Sequence, residues 1–270
     1  MIEKKEKAQV DLFLFMGQSN MAGRGLVTKM RAQGVPPLIE GAGYEYRAVS
    51  APGRLYAIVE PFGCCENRSD GINDGNMKTG SLVTAFVNAY YEQTGVPVVG
   101  VSASKGGSAI AQWQPGGAFL TDAMGRFRDA VRYLDENGYE LRHKYMLWCQ
   151  GETDGDLGTS AEQYRKQFKR MLEEMKRAGV ETCFLIRIGH YNGAGPQDYS
   201  EIMAAQDVLA SVREDVVMVS TAFAEMKERG LMKDEFHYYQ QAYNEVGAEA
   251  GRNTAYFVSK NYNSETKKEK

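Results

Sequence analysis

Apolar stretches of strand length recur along the chain between longer segments of helical period, and this alternation predicts βαβ units wound around a parallel sheet. The predicted strands are Asp11–Met16, Val96–Ser102, Tyr145–Cys149, Thr182–Ile188 and Val216–Ser220. Each is short and almost wholly apolar, as suits a strand covered on both faces. The predicted helices are Ser81–Gln93, Thr121–Asn137, Ala161–Arg177, Tyr199–Arg213 and Tyr238–Arg252. Over Ala161–Arg177, the residues Tyr164, Phe168, Met171, Leu172 and Met175 fall at three- and four-residue steps and leave the charged positions on the opposite face. Such a stripe reads as core packing, not as a cofactor surface. The expected fold is therefore α/β, a three-layer α/β/α sandwich with a central, mostly parallel five-stranded sheet.

Between the first two strands the pattern breaks down. The stretch from Gly34 to Gly80 carries Pro36-Pro37, Pro52-Gly53 and Gly71-Ile-Asn-Asp-Gly75, and it reads as a binding loop lying over the strand ends. No Pro/Ser-rich linker divides the chain, so one domain is expected over residues 1–270, with its core at about 11–254. Residues 263–270 are polar and mixed in charge, the composition of a frayed tail.

Composition narrows the class. With 270 residues, 43% hydrophobic and 25% charged, the chain is long enough to bury a sizeable core. A net charge of −3 without a basic cluster in the folded part argues against nucleic acid or an anionic membrane as partner. No apolar run approaches the roughly 20 residues that span a bilayer, and Met1–Lys7 lacks an apolar signal region, so the chain as given reads as cytoplasmic. Removal of a leader from a secreted or periplasmic protein would leave the same pattern. The four cysteines have no metal-ligand spacing, and Cys149 and Cys183 fall in apolar stretches that read as buried strands. Adjacent Cys64 and Cys65 read either as reactive or metal-binding thiols or as small loop residues.

Four segments at strand ends carry candidate chemistry. In Phe13–Gly25 a hydrophobic strand runs straight into Ser19, which places a hydroxyl where open α/β sheets present their ligands. Backbone N–H groups following that serine would favour negative charge on a substrate oxygen. In Val101–Ile110, paired glycines allow close backbone approach and leave an N–H free to donate. In Leu147–Asp154, the Gln150 amide suits an uncharged donor, while Glu152 and Asp154 would orient neighbours; Asp154-Gly-Asp156 lacks the twelve-residue calcium pattern, so no metal is implied. In Lys233–His237, a carboxylate lies three residues before the histidine, and Asp234 can accept from one ring nitrogen while the other faces Ser19. His143 and His190 lack such a context and read as structural. Trp113, Gln114 and Tyr191 read either as a sugar-binding rim or as packing.

Together, Gly17-Gln-Ser-Asn-Met-Ala-Gly23, Gly106-Gly-Ser108, Trp148-Cys-Gln-Gly-Glu-Thr-Asp154 and Asp234-Glu-Phe-His237 resemble the blocks of the SGNH hydrolases. The resemblance is to the sialate O-acetylesterase and acetylxylan esterase branch, carbohydrate esterase family six, and runs from about Asp11 to Gly251. It implies a flavodoxin-like sandwich and a carbohydrate O-acetylesterase that needs no cofactor. It implies Ser19 as nucleophile, His237 as general base and Asp234 as orienting acid. The oxyanion hole it implies comprises the Ser19 amide, a glycine amide at Gly107 or Gly106, and the Gln150 side chain. Gln18, Asn20, Glu152 and Trp113 are the candidate supporting or substrate-binding residues. Cys149 stands where that branch often has His, and Thr153 where Ser is common, which bears on substrate choice.

Overall fold

A computed structural model describes residues 7–25 and 34–265, with side-chain surroundings up to residue 260. Residues 266–270 of the expected tail, and residues 1–6 of the amino-terminal stretch, lie outside them.

The chain runs β1 (Gln9–Gly17), α1 (Ser19–Ala22), β2 (Gly43–Tyr46), β3 (Leu55–Ala57), α2 (Val83–Thr94) and β4 (Val98–Ser104). It continues through α3 (Ala118–Glu136), β5 (Glu140–Cys149), α4 (Glu152–Asp156), α5 (Ala161–Arg177), β6 (Thr182–Ile186), α6 (Ser200–Val212), β7 (Val216–Ser220) and α7 (Gln240–Glu265). One sheet forms in the order β3-β2-β4-β1-β5-β6-β7, parallel throughout except where β3 pairs antiparallel with β2.

The sheet has seven strands where five were expected. Both additions, β2 and β3, come from the Gly34–Gly80 stretch and are four and three residues long. Periodicity over so few residues is too weak to separate from a loop. The last helix also outruns the expected end at Arg252, because Ala255 and Val258 continue its buried face.

Alternation along β1 divides the core in two. Leu12, Leu14 and Met16 face α3, α5 and α6 through Phe127, Phe168 and Ile202. Phe13 and Phe15 face α2 and α7 through Phe86, Tyr90 and Val246. The two helices on this second face pack unusually close: a Cβ on Gly247 or Gly251 of α7 would stand 2.3 or 2.4 Å from a backbone carbonyl oxygen of the α2 side. That contact anchors α7, which begins three residues after His237.

Candidate active site

β1 is the central strand of the order reversal: the chain first builds the sheet on its β4 side and then crosses to β5. Parallel strands place their carboxyl ends on one edge, and such a reversal leaves a crevice there. Gly17 pairs with Ser104 on one side and Cys149 on the other, so three of the predicted segments begin at one level. Gly17 has φ +147, and a Cβ on it would lie 2.1 Å from the Cys149 carbonyl oxygen. Glycine is therefore required at the turn that delivers Ser19. Gly23, at φ +89 against Ser81, ends the four-residue α1.

The fourth segment arrives from the loop before α7. His237 Nε2 lies 2.9 Å from Ser19 Oγ, and His237 Nδ1 lies 2.9 Å from Asp234 Oδ2. With Nδ1 facing a carboxylate, the proton belongs on Nδ1 and leaves Nε2 free to accept from the serine. Asp234 Oδ1 also accepts the Phe236 and His237 N–H groups, at 3.0 and 2.6 Å. Burial acts to raise the Asp234 carboxyl, but these hydrogen bonds from the ring and the backbone outweigh it and hold it at about 2. Asn192 braces the loop from outside: its N–H donates to the Glu235 carbonyl and its Nδ2 to that of Asp234.

The cleft above Ser19 has a volume of about 440 Å³, and its walls include Gln18, Arg24, Asp74, Lys105, Gly107, Glu152 and Phe236. Of the paired glycines, Gly106 donates its N–H to Asp74 Oδ1 at 2.8 Å. Gly107, at φ +66, has no acceptor for its N–H among the described residues, and neither has Ser19. The structure does not bring the Gln150 amide to this cleft. Gln150 is fully buried; its Nε2 donates to the Ser108 carbonyl and to Asp154 Oδ2, and its Oε1 accepts from Tyr164. Gln18, by contrast, lines the cleft. Its Oε1 accepts the N–H groups of Gly151 (3.0 Å) and Thr153 (3.4 Å), which fixes the amide orientation and leaves Nε2 without a protein acceptor among the described residues.

A model of the carbohydrate esterase, sialic acid-specific acetylesterase family, abbreviated SASA, matches residues 9–255. The chain belongs to this family. A probable carbohydrate esterase of Arabidopsis thaliana, At4g34215, is 28% identical to the SASA chain over 195 residues, covering 68% of it and 70% of the plant protein. The solved structure of that Arabidopsis protein aligns with a TM-score of 0.70 at 23% identity, over 90% of this chain and 97% of the other. NanS aligns at 0.63 and 13% identity, over 95% and 100% of the two chains. XAC1771 of Xanthomonas citri, a carbohydrate acetylesterase, aligns at 0.56 and 17%, over 91% of this chain and 57% of its own. At these identities the three structures speak to the α/β fold alone.

The supporting residues of the SASA site divide by burial. Asn20 is fully buried; its Nδ2 donates to Glu152 Oε1 and to the Phe236 carbonyl, and its Oδ1 accepts from Tyr243. It ties the serine turn to the histidine loop. Glu152 lines the cleft with only 2% exposure. Burial pushes its carboxyl up to about 7, with Asp156 and Asp154 adding to the rise and the Asn20 hydrogen bond opposing it. Trp113 is core and not rim: it is fully buried, packs edge-on against Trp148 and donates to Ser108 Oγ. Gln114 and Tyr191 also lie away from the cleft lining. The sequence reading missed Arg24 and Asp74, a buried pair at 2.7 Å beside Ser19. Arg24 directly follows the first block and Asp74 lies in the Gly71–Gly75 turn, yet no local pattern joins them across fifty residues.

Proposed function

We propose that this SASA-family protein is a serine esterase that removes O-acetyl groups from a carbohydrate of the acetylxylan or sialic acid type. The observation that carries the reading is the relay of two 2.9 Å contacts from Ser19 through His237 to Asp234. Ser19 Oγ attacks the ester carbonyl as Nε2 takes its proton. The tetrahedral oxyanion is met by the Ser19 and Gly107 N–H groups and by Gln18 Nε2, the donors that the fold leaves unspent. His237 then protonates the departing sugar alkoxide. Water enters and attacks the acyl-enzyme as Nε2 takes its proton; Nε2 then returns that proton to Ser19 Oγ as acetate leaves.

Two features support a sugar acetate over a long acyl chain. The cleft walls set Lys105 and Asp156 beside the apolar Met77 and Phe236, a mixture suited to the hydroxyls and ring faces of a sugar. The family description and the XAC1771 acetylesterase point the same way. A serine-directed phosphonate should label Ser19 and be excluded by Ser19→Ala. Aryl acetate should outpace the butyrate and octanoate esters. Fastest cleavage of octanoate would favour a lipase or thioesterase reading, and absence of both labelling and turnover would favour a non-catalytic sugar-binding protein.

A further inference from the structure

Outside the cleft, the turn after Pro61 presents two thiols to solvent. Cys64 and Cys65 are both exposed, and their sulfurs lie 3.5 Å apart. Neighbouring side chains of an extended chain point to opposite faces. Here the backbone turns, with the Cys64 N–H donating to the Pro61 carbonyl and the Glu66 N–H to that of Gly63. The turn is held from both sides. Gly63 N–H donates to Glu45, the buried Glu66 carboxylate accepts the N–H groups of Val49 and Ser50, and Asn67 Nδ2 donates to the Cys64 carbonyl. The thiols thus share one face of a turn whose backbone is fastened below them.

We propose that Cys64 and Cys65 form a vicinal dithiol site for a trivalent arsenical. A direct disulfide suits this turn poorly, because adjacent Cα atoms stand about 3.8 Å apart and disulfides span roughly 4.4–6.8 Å. Such a bond would be strained and readily reduced. One larger thiophilic atom placed between the sulfurs avoids that strain. A structural zinc site is excluded by donor count, since it takes four ligands and no group of three or more His, Cys, Asp or Glu among the described residues is placed to hold a metal. Partial desolvation of its sulfur and the neighbouring Cys65 raise the Cys64 thiol, which keeps it protonated at neutral pH. That state suits condensation with an arsenic hydroxide. In the reaction an R–As(OH)2 group exchanges two As–O bonds for two As–S bonds, the two thiol protons leave with the hydroxides as two waters, and arsenic stays trivalent.

The test titrates the reduced full chain with phenylarsine oxide. One equivalent should silence both thiols that react with Ellman's reagent in the native protein, and intact mass should show one phenylarsenic group. Cys149 and Cys183 are buried and should stay silent until the protein is denatured. Excess dimercaptopropanol should strip the label while excess 2-mercaptoethanol should not, because only a second chelate competes with a chelate. Cys64→Ser and Cys65→Ser should each weaken binding at least about a hundredfold through loss of the second, intramolecular bond. Retained aryl acetate hydrolysis or an unchanged far-UV spectrum shows that the variants are folded. The proposal fails if either single variant binds as tightly as the parent, if one thiol stays reactive after labelling, or if monothiol strips the label as fast as dithiol.

Discussion

Replacing Glu152 by Gln tests whether a carboxyl is held in the floor of the cleft against its own solvation. In the fold its pKa is about 7, against 4.5 for the unperturbed group. The folded state therefore binds this proton more tightly than the unfolded chain does. Stability from that proton is complete below about pH 4.5, falls as pH rises toward 7, and is gone above it. At roughly 1.4 kcal/mol per pH unit, the gap corresponds to about 3 kcal/mol. Gln keeps an oxygen for Asn20 Nδ2 and carries no charge; the position it fills with N–H is that of Glu152 Oε2, which has no hydrogen-bond partner among the described residues. Glu152→Gln should thus match the parent near pH 4.5 and exceed it by about 3 kcal/mol at pH 8. Urea unfolding at half-unit pH steps reads the difference directly, and other titrating groups cancel between the two proteins. By melting, the gain at pH 8 is roughly 5–10 °C. A mutant-minus-parent difference that stays flat between pH 4.5 and 8 would refute the reasoning.

Ser19→Ala should abolish hydrolysis of aryl acetate with little change in melting temperature, because among the described residues the serine hydroxyl's hydrogen bond is to His237 alone. Gln18→Ala and Gln150→Ala should part company: the first should lose about a hundredfold or more in kcat while remaining stable, as for a lost oxyanion donor. The second should lose roughly 3 kcal/mol of stability in urea, since it strands Asp154 and the Ser108 carbonyl. Equal kcat losses in two equally stable variants would overturn the assignment. Gly107→Ala meets no atom within 4 Å but sits at φ +66, so it should cost about 1–2 kcal/mol by the backbone alone. Gly106→Ala drives a Cβ to 2.5 Å from Arg24 and 2.9 Å from Asp74, and should lower kcat as well as stability. Asp234 is held at about 2 and stays ionised through the working range, so Asp234→Asn should be impaired at pH 5 as much as at pH 8; recovery at pH 5 would contradict its role.

Much of the frame was legible along the chain. The helix expected over Ala161–Arg177 has those bounds, and its buried residues Tyr164, Phe168, Met171, Leu172 and Met175 are the ones the periodicity singles out. β7 likewise spans Val216–Ser220. These elements have long or fully apolar patterns, and burying that pattern is what makes them form. β2 and β3 escaped because each is too short to show a period and is held by its neighbour in the sheet. Trp113 was ambiguous for a related reason: a large aromatic residue after a glycine-rich turn has the same local signature whether it meets a sugar or Trp148.

By itself the sequence determined the α/β alternation, the placing of Ser19 at a strand end, and the Asp234-x-x-His237 spacing that lets a carboxylate orient an imidazole. Tertiary structure alone decided which donors face the cleft. Gln18 and Gln150 are the same residue type, each directly after a strand, and no local pattern separates them. Gln150 is consumed by Ser108, Asp154 and Tyr164, whereas Gln18 has its oxygen consumed and its nitrogen left over. Gly106 is likewise consumed by Asp74 and Gly107 is not. A hydrogen-bonding group is available to a substrate only after its neighbours in space have taken theirs, and those neighbours come from distant parts of the chain.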